Sequence, residues 1–338
     1  MKKKSIIISS ISIVLIIIIG SLFVQRRTII KPLKSSEKKV QVVVNKNENL
    51  NDIVDKLSSE KKLRGKIFIK KYIAKKNISQ KTVAGKYTFS NKISLNNFLL
   101  DLNKGIFDET PVRVTIPEGY SIEQIGNKLE QQGIIKKEDF IETVKKYKTP
   151  SYIKKDSKRK YSLEGYLFPD TYEFFKGMEG KVIVDKMLSR FQYVISQIEK
   201  EKNLKIDEND MDNIINMASV IEKEAQKSIE RDKISSVFYN RLEKNMKLES
   251  CATVLYALGQ HKNKLYYKDL KTKSDYNTYL HKGLPIGPIC SPGKNSIVAA
   301  LKPEKTNYLY FVSKNDGTHF FTNNYNEFLK VKKETQGD

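Results

Sequence analysis

The stretch DMDNIINMASVIEKEAQ, Asp210 to Gln226, carries two glutamates, Glu222 and Glu224, two residues apart. Ile214, Met217, Ala218, Ile221 and Ala225 recur at three- to four-residue spacing, which predicts a helix with one apolar face. At about 100° per residue, Glu222 lies ~20° from Ile215 and ~40° from Ala218, on or beside that face. Glu224 lies ~200° from Glu222, on the far side, so the two are expected in opposite environments and only Glu222 with a shifted pKa. A carboxyl beside apolar side chains loses solvation of its charged form, and its pKa rises. Raised from about 4.3 to about 6, it is ~10% protonated near neutrality, which suits a general acid. The bland alternative is a helix-edge glutamate paired with a nearby lysine.

Other segments bear on the choice. Leu163 to Tyr172, LEGYLFPDTY, packs aromatic and acidic residues around a turn, as sugar-binding surfaces often do. Tyr276-Asn277-Thr278-Tyr279 sets an amide between phenols, and Gly283 to Gly293 has six Gly or Pro in eleven residues, so it reads as a shaped loop. Each is weak alone, since aromatic clusters are more often core. The chain lacks a Gly-rich phosphate loop, zinc-type Cys/His spacing and a G-x-S-x-G elbow, and its three histidines lack H-E-x-x-H spacing. No metal and no cofactor are expected.

The elements that must position these residues begin with a repeat. With an offset of 72, residues 42–72 match 114–144 without gaps: Leu50, Ile53 and Leu57 fall on Ile122, Ile125 and Leu129, Leu63 on Ile135, and Phe68 on Phe140. Each copy reads as a strand, a helix and a second helix, with Asn49 and Ser121 at the N-caps. Between the copies, Gly85 to Phe89 reads as a strand, followed by a helix capped by Ser94 and stopped by Gly105. The basic run Lys154, Lys155, Lys158, Arg159 and Lys160 reads as a solvated loop. Long helical patterns follow. The expected class is α+β: a duplicated small α+β region over 41–150 and a mixed α/β domain over 151–338.

The chain has 338 residues, 39% of them hydrophobic, with 62 Lys+Arg against 39 Asp+Glu and a net charge of +23. That excludes collagen-like, disulfide-dense, wholly disordered and polytopic membrane chains. Ser5 to Val24 is apolar and uncharged, and about 20 residues span a hydrocarbon core of about 30 Å. No small-x-small cleavage site follows it, so the expectation is an uncleaved transmembrane anchor over 5–25. This places a cytoplasmic tail at 1–4, a juxtamembrane basic linker at 26–40 and the rest outside the cell membrane. Residues 1–39 hold nine basic residues and one acid, matched to anionic head groups. Outside the membrane no nucleic acid is available, so anionic wall polymer or lipid is the better partner class. Cys251 and Cys290 are an even count in an oxidising compartment, which permits one disulfide; pairing and two free thiols both stay open.

Ala218-Ser219-Val220-Ile221-Glu222-Lys223-Glu224 resembles the signature helix of the bacterial endolytic murein transglycosylases. The likeness continues through Glu230-Arg231, Val237 to Leu242, Thr253 to Tyr256, Tyr276 to Tyr279 and Gly283 to Gly293, and includes Leu163–Tyr172 and Thr115-Ile116-Pro117-Glu118-Gly119. Departures are Ser250-Cys251-Ala252-Thr253 where many members have Ser-Asp-Pro-Thr, Ile286 for a frequent second Pro, and Ser291 where Asn is common. Both cysteines fall at family motifs, which favours their pairing. The resemblance implies that the repeat is LysM-like and that Glu222 is catalytic. Glu164, Asn277 and Tyr279 become candidates for holding sugars or orienting Glu222; Arg241 suits a stem-peptide carboxylate or, more simply, a structural salt bridge.

The implied reaction cuts the β-1,4 bond between N-acetylmuramic acid and N-acetylglucosamine within nascent strands, leaving 1,6-anhydro ends and terminating elongation. Glu222 protonates the leaving oxygen, then takes the proton of the muramyl C6 hydroxyl as it closes onto C1, so tethering replaces the second carboxylate of most glycosidases. Implied partners are peptidoglycan strands, the cell membrane and peptidoglycan synthases. The rivals are a non-catalytic wall-binding scaffold and a lysozyme-type hydrolase.

Overall fold

The computed structural model describes residues 20, 22–45, 47–105, 111–259, 262 and 265–337. They form two compact units, Met1–Val112 with Phe174–Val182 and Arg113–Glu173 with Ile183–Asp338. The fold is α+β, with three two-stranded sheets among the described residues. The expected transmembrane helix is corrected: no helix among the described residues is long and apolar enough to cross a membrane. Residues 1–19 and 21 of the predicted tail and anchor lie outside the described residues. Residues 22–30 are helical (α1) and include Arg26 and Arg27. The described residues give no support to a single-pass anchor or to the membrane as partner.

In the first unit, β1 (Lys39–Val44) pairs antiparallel with β2 (Gly85–Ser90), setting Val40 opposite Phe89 and Val42 opposite Tyr87. The period of two buries Val40, Val42 and Val44. In the capping box of α2 (Leu50–Ser59), the Asn49 side chain accepts from the backbone of Asn51 and Asp52, and Asp52 accepts from the Asn49 N–H. After α3 (Lys66–Lys75) and β2, α4 (Leu95–Lys104) is capped by Ser94 and ends at Gly105 in the left-handed region.

The second copy opens the second unit with β3 (Val112–Thr115), α5 (Ile122–Gln131) and α6 (Lys137–Lys146). α2 and α5 keep the offset of 72, both carry capping boxes, and Leu50, Ile53, Leu57, Ile122, Ile125 and Leu129 are all buried. The gapless alignment then fails. α3 and α6 start 71 residues apart, so Ile69 and Ile73, not Phe68, match the buried Phe140 and Val144, and Leu63 matches the buried Ile134. One residue turns a helix by about 100°, so the deletion must lie in the connection, where it leaves the buried face in place.

The remainder of this unit holds β4 (Thr171–Phe174), paired with β3, then α7 (Gly180–Lys202), α8 (Glu208–Glu224), α9 (Arg231–Glu243), α10 (Cys251–Leu258) and α11 (Lys294–Leu301). An antiparallel hairpin, β5 (Tyr310–Ser313) and β6 (His319–Thr322), precedes α12 (Tyr325–Gln336). α8 is not one-faced. Met211, Ile215, Met217, Ala218, Val220 and Ile221 are buried on successive sides, because α9, α10 and α11 all pack on it. Leu163, Tyr166, Leu167, Phe168 and Tyr172 are core rather than a sugar-binding surface, with Tyr166 edge-on to Phe191 at 5.3 Å between centroids.

Ser121→Ala should lower the unfolding free energy by about 1 kcal/mol in chemical denaturation, and Ser121→Gly by only a few tenths.

Candidate active site

α8 presents Asn216, Ser219 and Glu222, one per turn, to the Gly/Pro loop. Asn216 Nδ2 donates to Pro285 O at 2.6 Å, Ser219 Oγ accepts from Ile289 N at 3.0 Å, and Gly293 N donates to Glu222 Oε2 at 2.9 Å. The loop is clasped from its other side. A Cβ on Gly165 would lie 2.6 Å from Pro288 Cβ, and one on Gly287 would lie 2.8 Å from Arg159 Nε. That nitrogen donates to Ile286 O, and the guanidinium pairs with buried Asp212, which also accepts from Tyr166 Oη at 2.8 Å. Arg159 is therefore not part of a solvated run: Asp212, 53 residues away, makes its burial affordable.

Glu222 sits in a polar cage. Gly293 N and Ser296 Oγ donate to Oε2 at 2.9 and 2.7 Å, and Arg231 Nη2 donates to Oε1 at 3.2 Å. The carboxylate side chain is 7% exposed and that of Arg231 is 11% exposed. The apolar surroundings expected from the helix period are replaced by donors that reach it from α9 and α11. Arg231 Nε also donates to Ser296 Oγ at 2.9 Å. Its predecessor Glu230 accepts from His319 N at 3.0 Å and lies 2.8 Å from His319 Nδ1, tying the start of α9 to β6.

The loop between β3 and α5 closes the site. Gly119 N donates to Ser291 O at 2.9 Å and Ser291 N returns a bond to Tyr120 O at 2.8 Å, so this loop is zipped to the Gly/Pro loop. A Cβ on Gly119, whose φ is +76°, would lie 3.7 Å from Glu222 Cγ. Lys223 Nζ donates to Gly119 O at 3.4 Å. Glu118 lies over Gly293, with Oε2 3.9 Å from Arg231 Nη2. Burial and the charge of Glu222 push its carboxyl up, against the opposing pull of Arg231. A cleft of about 450 Å3 opens beside Gly119 and Lys223 and is lined also by Ser121, Glu123, Lys160 and Tyr256.

Residues 42–334 match the model of the YceG-like family. The chain belongs to that family. It is 35% identical to the endolytic murein transglycosylase of Bacillus subtilis, over 94% of this chain and 90% of that protein. It is 33% identical to the endolytic murein transglycosylase of Streptococcus pneumoniae, over 86% of this chain but 57% of that longer protein. The crystal structure of a YceG-like protein from Listeria monocytogenes is similar, with a TM-score of 0.59 and 32% identity, covering 88% of this chain and all of that one.

In this YceG-like chain the other expected site residues are placed differently from Glu222. Glu164 is wholly buried, accepting from Ile122 N at 3.0 Å and Tyr256 Oη at 2.8 Å, and burial pushes its carboxyl up to about 7. Asn277 spends its amide on the backbone, donating to Leu270 O and Thr272 O and accepting from Tyr279 N. Tyr279 Oη lies 3.1 Å from Cys251 Sγ. Arg241 binds Leu309 O, Lys247 O and Leu248 O, and pairs with Glu249 at 3.2 Å, the structural role.

Glu224, expected on the far side of the helix, is half-buried and accepts from Ser250 Oγ; burial pushes its carboxyl above the usual range. Cys251 and Cys290 are free thiols in this structure: Cys290 donates to Ser219 O at 3.3 Å, and Cys251 Sγ lies 3.1 Å from Tyr279 Oη. Arg231, Ser296 and Glu118 escaped the sequence reading as site groups. The signals were present, in the Glu230-Arg231 and Pro117-Glu118-Gly119 segments, but nothing in them marks a destination.

Glu164 has an ordinary value of 4.5 and a folded one of about 7, so the folded chain holds the extra proton between them. The unfolding free energy should fall as pH rises through that window, by about 3 kcal/mol in all. Glu164→Gln should flatten the decline in a denaturation series across pH. Thiol titration of unreduced, denatured protein should find two thiols; in the native state Cys251 should react first, because it is exposed and Cys290 is buried.

Proposed function

We propose that this chain is an endolytic murein transglycosylase, a lyase that works on peptidoglycan outside the cytoplasm, with Glu222 at the centre of its proton transfers. The observation that carries this reading is the 35% identity over 94% of the chain, joined to a carboxylate aimed and held beside a cleft. In the proposed reaction the bond from muramyl C1 to the O4 of N-acetylglucosamine breaks, and O4 receives a proton. The muramyl C6 hydroxyl bonds to C1 and gives up its proton, leaving a 1,6-anhydro end and consuming no water. The nucleophile is tethered to the reacting ring, so the protein supplies acid–base groups and positioning rather than an activated water.

Such a cut within a nascent strand would stop its elongation. The same reading takes the LysM-like repeated units as handling glycan, and it is supported by the second copy's share of the cleft, through Ser121, Glu123 and Lys137.

Glu222→Gln should reduce release of anhydro-muropeptides from purified sacculi by about 10²-fold or more while circular dichroism stays unchanged. Mass spectrometry reads the outcome directly, since anhydro ends are one water lighter than hydrolysis products. Reducing ends would instead mean a lysozyme-type hydrolase, and no new ends would mean a wall-binding scaffold. Undiminished release by the variant would reject the role of Glu222.

A further inference from the structure

The transglycosylase reading asks one site to deliver a proton to O4 and to remove one from the C6 hydroxyl. Glu222 suits the second task. Its partners, Arg231, Gly293 N and Ser296 Oγ, are all donors, and three donors on a carboxylate's roughly four lone-pair positions leave room to accept one more proton. A second carboxyl stands beside it. Glu118 and Glu222 lie within 4 Å of the same guanidinium nitrogen, at 3.9 and 3.2 Å from Arg231 Nη2. Gly293 separates them: its N–H is spent on Glu222, and the place its Cβ would take is filled by the Glu118 carboxylate, 2.0 Å from that position. The side chain of Glu118 is 49% exposed and that of Glu222 7%, so Glu118 is the freer to follow a leaving group while Glu222 offers one fixed edge to the ligand.

We propose that Glu118 is a second catalytic residue, the acid that protonates the leaving O4, while Glu222 is the base that takes the C6 proton. This rests on the transglycosylase reading and divides its proton work between two groups. The C1–O4 bond breaks as the Glu118 proton passes to O4, the O6–C1 bond forms as the O6 proton passes to Glu222, and exchange with solvent returns both carboxyls to their starting states. Burial and the Glu222 charge favour the protonated form of Glu118, against the pull of Arg231.

The test separates acid from base by the leaving group. Full-chain variants are assayed on purified sacculi and on a GlcNAc–MurNAc oligosaccharide with 4-nitrophenol on the terminal muramyl C1, a group that departs without a proton. Glu118→Gln should lose about 10²–10⁴-fold on sacculi and less than about tenfold on the nitrophenyl glycoside. Glu222→Gln should lose heavily on both.

Gly293→Ala supplies a variant in which both carboxyls remain. Its φ of −76° and ψ of 167° admit alanine and keep the N–H on Glu222, but the new methyl displaces the Glu118 carboxylate. It should show the same selective loss as Glu118→Gln. Equal losses of Glu118→Gln on the two substrates, or its full activity on sacculi, would overturn the assignment while leaving the Glu222 reading intact. So would rescue of Glu222→Gln by the nitrophenyl group. Full activity of Glu222→Gln on sacculi would reject the underlying reading instead.

Discussion

The site depends on a loop that cannot hold itself together. Gly283–Gly293 is too rich in glycine and proline to form a hydrogen-bonding ladder of its own, and its backbone groups still need partners once buried. α8 supplies them at one-turn intervals through Asn216, Ser219 and Glu222. The last of these bonds serves two ends, because the Gly293 N–H that completes the loop also orients the carboxylate. A helix can do this where a second loop cannot, since its i, i+3 positions turn by only about 60° per step and so follow a loop that winds across one side.

Charge is arranged around this row with little waste. Arg159 and Asp212 neutralise each other beneath the loop, and Arg231 faces two carboxylates above it. Each cation has further partners: Arg159 the carbonyl of Ile286, Arg231 the hydroxyl of Ser296. Hydrogen-bonded charges of this kind hold one another in place, and removing one member of the buried pairs would leave an uncompensated charge. The rigid frame explains how a glutamate near a cleft can keep one orientation with so little of its side chain exposed.

The duplication shows how one small pattern takes on two uses. Both copies keep the strand, the capped first helix and the buried Leu/Ile row, because those features fold each copy locally. In the second copy, the loop before the helix carries Pro117-Glu118-Gly119 and is bound to Ser291, while the buried Glu164 accepts the Ile122 N–H at the helix start. A carboxyl at a helix N-terminus is favoured by the dipole and by the unpaired N–H groups there. What looked like a sugar-binding segment, Leu163–Tyr172, is thus the support under that helix.

The amino-acid sequence by itself determined the local features: the caps at Asn49, Ser94 and Ser121, the strand alternation of β1, and the repeat of strand and first helix. These rest on interactions between residues within a few positions of one another, which periodicity and propensity record. It did not reveal that α8 is surrounded, that Glu224 is half-buried, or that Arg159 is buried. Nor did it reveal the deletion between the helices of the second copy, which only the burial of Ile134 and Phe140 exposes. The cage around Glu222 comes from residues 9, 71 and 74 positions away. Periodicity on a single helix shows which way a side chain points, but tertiary packing decides whether apolar atoms or hydrogen-bond donors are waiting there.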